Sequence, residues 1–151
     1  MYKRRIVVGV EGSGYAQTAL IWAFEEAALR DSVVEVVTAY APTYVPAAPD
    51  LGYVPLDSYD LINEVERMQG EVIDSALEAA GHPEVEIVRT LTKGRAADTL
   101  LRAAKNADLL VVGNRGRGGF AGLRLGSVSQ SIAHHSPCPL VIIHTGLDIE
   151  D

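Results

Sequence analysis

Five short runs of apolar, largely β-branched residues, separated by segments of helical period, constrain this chain more than any other feature. They span Arg5 to Val10, Val33 to Tyr40, Val85 to Leu91, Asp108 to Gly113 and Pro139 to His144. Three of them, Ile6-Val7-Val8-Gly9-Val10, Leu109-Leu110-Val111-Val112 and Leu140-Val141-Ile142-Ile143, show no alternation of apolar and polar positions. A strand apolar on both faces needs cover on both sides, which is the setting of parallel strands joined by crossover helices. Between the runs, apolar residues return every three or four positions. Ala16, Ala19, Leu20, Ala23, Phe24 and Ala27 make one helical face, with Ser13 placed to cap its start and Glu25, Glu26 and Arg30 left for solvent. A second face carries Leu61, Ile62, Val65, Met68, Val72, Ile73, Ala76, Leu77 and Ala80; it starts near Asp57-Ser58 and stops at Gly81, with Pro83 beyond. A third helix is expected from Arg95 to Asn106, with Ala97, Leu100, Leu101 and Ala104 inward, and a fourth from Gly126-Ser127 to Ser136-Pro137. The alternation predicts an α/β domain with an open, largely parallel five-stranded sheet and helices on both faces.

At 151 residues and 48% hydrophobic content, the chain can bury a self-sufficient core, and one domain over residues 1–151 is expected. The charge, 13 Lys+Arg against 20 Asp+Glu, is −7. Nucleic-acid binding is not expected of so acidic a surface, because that affinity comes from neutralising phosphates. No apolar run approaches the roughly 18 residues of a membrane span. The basic start is followed only by Ile6 to Val10 before Glu11, so no signal peptide is expected either. Cys138 is the single cysteine, which excludes an internal disulfide and fits the reducing cytoplasm.

Residues 41–56 hold Pro42, Pro46, Pro49 and Pro55 with Tyr44 and Tyr53 interspersed. Such a stretch suits neither a helix nor a central strand and reads as a long surface loop after the second strand, either a dispensable insertion or a lid or partner contact.

The chemistry concentrates in the segment from Gly113 to Ser129, between an apolar strand and a helix. It has six glycines within the fourteen residues from Gly113 to Gly126. Glycines let backbone N–H groups approach a ligand closely, and the free N–H groups and positive end of the following helix favour an anion. Arg115, Arg117 and Arg124 put three of the 13 basic residues here, and Ser127 and Ser129 add hydroxyl donors at the helix start. A phosphorylated small molecule is the natural occupant. A Walker loop is absent, since Ser127 follows Gly126 with no lysine between. Residues 116–121 fit the dinucleotide pattern by chance, with no acidic residue near position 140 to hold a ribose.

Gly113-x2-Gly116-x9-Gly126-Ser127 resembles the nucleotide-binding signature of the universal stress protein family. Its surroundings agree: Ile6-Val7-Val8-Gly9-Val10-Glu11-Gly12-Ser13, the alanine-rich helix, Ala107 to Gly113, and Ala133-His134-His135-Ser136-Pro137-Cys138-Pro139-Leu140-Val141. The resemblance implies a Rossmann-like sheet of order 3-2-1-4-5 that binds ATP, with magnesium, at the carboxyl ends of strands 1 and 4. It implies that Gly113, Gly116, Gly126, Ser127 and Val128 surround ribose and phosphates, with Asn114, Arg115, Arg117 and Ser129 in the same loop and helix start. Gly9, Val10 and Glu11 would face the nucleoside, and the backbone of Ala39 the adenine edge. Relatives carry Asp where this chain has Glu11, whose longer side chain reaches ribose or metal differently. A nucleotide-dependent sensor or regulator of the stress response is the leading expectation. Another adenine nucleotide such as cyclic AMP, and a nucleotide-free dimeric interaction module with a protein partner, are the alternatives.

Enzymatic chemistry is not indicated, as no lysine, triad or HExxH motif is placed to act; a nucleotide can be bound without activating water. His134 and His135 read as residues favoured at a helix carboxyl end, not as metal ligands. Cys138 reads as a buried, inert thiol, and Glu64, Glu66, Glu71, Asp74 and Glu78 as a solvated helix face. Leu140 to Ile143, at a sheet edge in the implied order, invites pairing with its own copy as a homodimer.

Overall fold

In a computed structural model, the structure describes residues 2–11, 14–41, 44–46, 49–50, 52–55, 58–114 and 125–144. Strands β1 (Arg5–Gly9), β2 (Val33–Tyr40), β5 (Glu86–Lys93), β6 (Leu109–Gly113) and β7 (Leu140–Ile143) form one sheet in the order β5-β2-β1-β6-β7. Every pairing in it is parallel. Counting its strands alone, the order is the expected 3-2-1-4-5.

The helices are α1 (Gly14–Arg30), α2 (Ser58–Ala79), α3 (Ala96–Ala103) and α4 (Ser127–His135). Because side chains alternate along a strand, the sheet divides its apolar residues between two cores. Ile6, Val8, Val34, Val36 and Val111 meet Leu20, Ala23 and Phe24 of α1 and Ile73 and Ala76 of α2. Val7, Val37, Leu110 and Val112 meet Leu100 of α3 and Ile132 of α4 on the other face. The all-apolar runs predicted this: a residue on either side of β1 or β6 finds a helix.

Helix α2 ends as its sequence predicts. Gly81 takes φ +79°, and the N–H groups of Gly81 and His82 close on the carbonyls of Glu78 and Leu77. The same helix carries a polar residue inside its apolar stripe. Gln69 is fully buried, and its Nε2 lies 3.0 Å from Thr38 Oγ1, 3.1 Å from the Val36 carbonyl and 3.2 Å from the Thr90 carbonyl. Its Oε1 accepts from Arg89 Nε at 3.1 Å, so α2 is fastened to β2 and β5 by hydrogen bonds as well as by packing.

Two expectations change in detail. The third helix stops at Ala103 and tightens into a 3-10 turn over Ala104–Asn106. The Pro- and Tyr-rich stretch, expected to be loop throughout, contains an antiparallel pair, β3 (Tyr44–Pro46) with β4 (Tyr53–Pro55), in which Val45 is in backbone register with Val54. Prolines are tolerated there because a two-stranded ribbon has only edge strands. Ser13, read as the cap of α1, lies outside the described residues. Among those residues no helix is long and apolar enough to cross a membrane.

Candidate functional site

β1 lies between β2 and β6, so the chain leaves it in opposite directions: first to β2 and β5, later to β6 and β7. At such a switch point the connections diverge and open a crevice at the carboxyl ends of the strands. A cavity of about 180 Å³ lies there.

Its walls come from six elements, Ala16 of α1 among them. Gly9 with the following Val10 and Glu11 brings the end of β1, Val37 and Ala39 that of β2, and Val112 and Gly113 that of β6; Ala96 and Leu100 of α3 and Val128 and Ser129 of α4 close it. The Val10 N–H donates to the Val37 carbonyl at 2.9 Å and holds the first two strand ends together beyond the strand proper. Gly9 is glycine for reasons of space: a Cβ there would stand 2.6 Å from Leu100 Cδ1. That close approach lets α3 lie across the strand end and puts a leucine in the wall.

The start of α4 is held to the end of β6 by three contacts. Ser129 Oγ donates to the Gly113 carbonyl at 2.7 Å, the Gly126 N–H donates to the Asn114 carbonyl at 2.8 Å, and the Asn114 N–H donates to the Ile143 carbonyl at 2.9 Å. The residues on either side of the 115–124 segment are therefore pinned side by side. Gly126 is the N-cap of α4 in extended conformation, and no side chain caps the helix, which leaves its first N–H groups to other acceptors. Arg95 similarly precedes α3 without a side-chain cap. Two helix amino termini thus converge on one side of the crevice, and both favour negative charge.

Of the residues singled out from sequence, Gly9, Val10, Glu11, Ala39, Gly113, Val128 and Ser129 meet in the cavity wall. Ser129 is buried with its hydroxyl proton committed to Gly113, so it serves first as a tie between α4 and β6. Asn114 is buried and next in sequence to the wall residue Gly113. Gly126 closes the base of the loop, and Ser127 faces a neighbouring recess beside Arg95 and Asp98. Arg115, Gly116 and Arg117, with Arg124, lie outside the described residues. Ala16, Val37, Ala96, Leu100 and Val112 were missed as wall residues; Ala16 and Leu100 carried an apolar helical signal that core packing explained equally well.

Glu11 is the one titratable side chain among the described wall residues. No group of three potential metal ligands occurs among the described residues. His134 and His135 are exposed at the end of α4, their ring centroids 6.3 Å apart. Cys138 is half-buried, and burial pushes its thiol above the ordinary range. The five carboxylates Glu64, Glu66, Glu71, Asp74 and Glu78 are exposed along α2.

The fold and the crevice together define a doubly wound α/β domain whose candidate site is built from strand ends and helix amino termini. Comparison with known proteins narrows this. The universal stress protein family model matches residues 1–144, and the chain belongs to that family. It is 34% identical over 142 residues to a universal stress protein of Mycolicibacterium smegmatis, covering 92% of this chain and 47% of that one. A Mycobacterium tuberculosis universal stress protein is 31% identical over 137 residues, covering 91% of this chain and 43% of its own length. The chain thus spans about half the length of the curated relatives it matches. A solved structure of a universal stress protein in complex with cAMP superposes with a TM-score of 0.66 at 27% identity, covering 97% of this chain and all of that one. UspA from Lactobacillus plantarum shares the fold, with a TM-score of 0.74 at 19% identity over 95% of this chain and 99% of that one.

Proposed function

We propose that this chain is a cytoplasmic ATP-binding regulator of the stress response that holds its nucleotide without turning it over. The observation that carries the reading is the crevice itself: a cavity with apolar walls at the switch point, bordered by Gly113 and by the uncapped α3 and α4 amino termini, in a chain whose sequence carries the Gly113-x2-Gly116-x9-Gly126-Ser127 signature. Its size supports a division of labour. At about 180 Å³ it is smaller than the about 300–1,000 Å³ of sites that enclose a whole ligand, so it suits the base and adjoining sugar. The phosphates then lie outward along Gly113, Asn114, Gly116, Gly126, Ser127 and Val128, with Arg115 and Arg117 supplying positive charge. The adenine edge meets the backbone of Ala39. Adenine-nucleotide binding as a class is supported by the relative crystallised with cAMP.

Magnesium fits this arrangement only as an ion carried by the phosphates. It is bound through one or two carboxylates plus phosphate oxygens and waters, and Glu11 is the carboxylate in the described wall. Bound there, it would screen phosphate charge.

Cyclic AMP remains the second reading, favoured by the same relative and by the longer Glu11. A homodimer through β7 completes the proposal: among the described residues β7 pairs only with β6, and its outer edge has no partner strand there.

The decisive experiment denatures freshly purified protein, identifies released nucleotide by mass spectrometry, and titrates the emptied protein with Mg-ATP and with cAMP. Co-purified ATP or micromolar rebinding of Mg-ATP is expected. Tighter binding of cAMP would transfer the assignment to the second reading, and binding of neither would remove the nucleotide.

A further inference from the structure

The opposite end of the sheet carries a second concavity. Trp22, Glu26 and Arg30 follow one another at four-residue spacing and form one stripe of α1. This stripe overhangs the amino-terminal ends of β1, β6 and β7. Ile6, Leu109 and Val141 lie on one face of the sheet, since Ile6 is in register with Leu109 and Val111 with Val141, and they line the groove beneath the stripe. The groove measures about 580 Å³. That is within the about 300–1,000 Å³ of small-molecule sites, and it is wider than the cavity at the carboxyl ends.

Its charges differ in how they are occupied. Arg30 is bound to Glu26, so that pair is satisfied within α1. Asp108 accepts from the Arg5 N–H at 2.8 Å and from the Tyr2 hydroxyl at 3.2 Å, both through Oδ2, and both donors are neutral. Its charge is therefore uncompensated and its other oxygen is open. Arg4, also lining the groove, has no side-chain partner among the described residues. A cation without a side-chain partner among the described residues and an anion with one oxygen open thus flank a surface made of one indole and three aliphatic side chains.

We propose that this groove binds a small aromatic zwitterion of the α-amino-acid type. Its ring would lie against Trp22 and the aliphatic floor, its carboxylate on Arg4 and its ammonium group on Asp108. Each contact answers one unfilled capacity: aromatic faces gain from an aromatic partner beyond area alone, and a guanidinium matches a carboxylate in both charge and shape. The groove lies at the end of the sheet remote from the nucleotide crevice, so the proposal stands whether or not ATP is the ligand there.

Trp22 is the only tryptophan, and its indole N–H gives one isolated signal in a nitrogen-15 NMR spectrum of the whole chain. The test titrates that signal with L-phenylalanine, with 3-phenylpropionate, which lacks the ammonium, and with phenylalaninamide, which lacks the carboxylate. L-Phenylalanine is expected to shift it saturably, and each truncated analogue to bind about tenfold more weakly, the worth of one charge-assisted contact. Arg4→Met, an exposed change that leaves the Arg4 carbonyl bonded to Val33, should erase the preference for L-phenylalanine over its amide. The proposal is overturned by the absence of a saturable shift, by equal binding of the three probes, or by full preference retained in Arg4→Met. A signal that moves with protein concentration alone would also overturn it, since a second copy would then cover the groove.

Discussion

Gly9→Ala tests whether the end of β1 is glycine because α3 comes so close. The added methyl would stand 2.6 Å from Leu100 Cδ1, 3.0 Å from Cδ2 and 3.4 Å from Cγ. All three atoms belong to one side chain, so the backbone can stay while Leu100 swings. Leu100 is 6% exposed and its open neighbour is the cavity of about 180 Å³ that it lines, so the swing goes into the space proposed for the nucleotide. Overpacking of this kind costs about 1–3 kcal/mol. Leu100→Ala costs about 2–5 kcal/mol by itself, toward the lower figure here because the cavity already opens beside it. In the double variant the new methyl occupies space the leucine has left. Its loss should fall short of the summed single losses by about 1–2 kcal/mol, inside the range measured for contacting pairs.

Urea unfolding followed by far-ultraviolet circular dichroism gives the three stabilities, provided the slopes agree. Mg-ATP titration of the same proteins reads the site: Gly9→Ala should bind about tenfold or more weakly, which is about 1.4 kcal/mol, and the double variant should recover part of that. Additive stabilities within about 0.5 kcal/mol would refute the contact between Gly9 and Leu100 as the reason for the glycine. A destabilised Gly9→Ala that bound Mg-ATP like the parent would refute the displacement of Leu100 into ligand space.

Three further outcomes follow from the same geometry. Gln69→Leu strips partners from Thr38, Arg89 and two sheet carbonyls at a fully buried position; a loss of about 2–4 kcal/mol is expected, read by calorimetry as a fall in Tm of roughly 4–16 °C, and an unchanged Tm would refute the fastening role. Burial raises the Cys138 thiol, so the folded state favours the protonated form; the associated stability is full below the unfolded thiol's range and is lost as pH rises through the folded value. Iodoacetamide should therefore label the native thiol more slowly than the unfolded one at neutral pH, with the difference closing in alkali, and equal rates would refute the shift. Leu110 N–H donates to the Pro139 carbonyl and Asn114 N–H to that of Ile143, so the odd-numbered residues of β7 face β6 and the Ile142 N–H points to the open edge. Ile142→Pro removes that donor; sedimentation should find a monomer with native circular dichroism, and a persisting dimer would refute assembly through β7.

The sheet and its helices were legible because two-faced apolar runs and helical periods each have one satisfactory burial. What escaped were residues whose role depends on what arrives from elsewhere. Gln69 sits in the apolar stripe of α2 between Met68 and Val72, and nothing local says that Thr38 and two strand carbonyls will meet it. Leu100 read as core, which it is, but α3 also crosses the strand ends and makes it a wall. The hairpin had a signal in the identical Tyr-Val-Pro tripeptides at 44–46 and 53–55, which pair with each other, but proline content outweighed it. Within the cavity wall, Gly9, Gly113 and the α4 start were legible because backbone chemistry depends on spacing. The apolar walls were not, because any strand end could supply them.

The two ends of this sheet are built by different means, and the difference decides which substitutions each tolerates. In a parallel sheet with crossover helices, the helix amino termini gather at the carboxyl ends of the strands, so positive potential and free N–H groups arise there from the backbone itself. Such an end is sensitive to added bulk, at Gly9 or Gly126, and comparatively indifferent to most side-chain chemistry. The amino ends have no such supply. Whatever charge the groove there offers must come from residues that lead into the strands, and Arg4 and Asp108 hold those positions before β1 and β6. Changing Arg4 alters that groove's chemistry at no cost to the fold, whereas the fold leaves the crevice little chemistry to lose except by filling it.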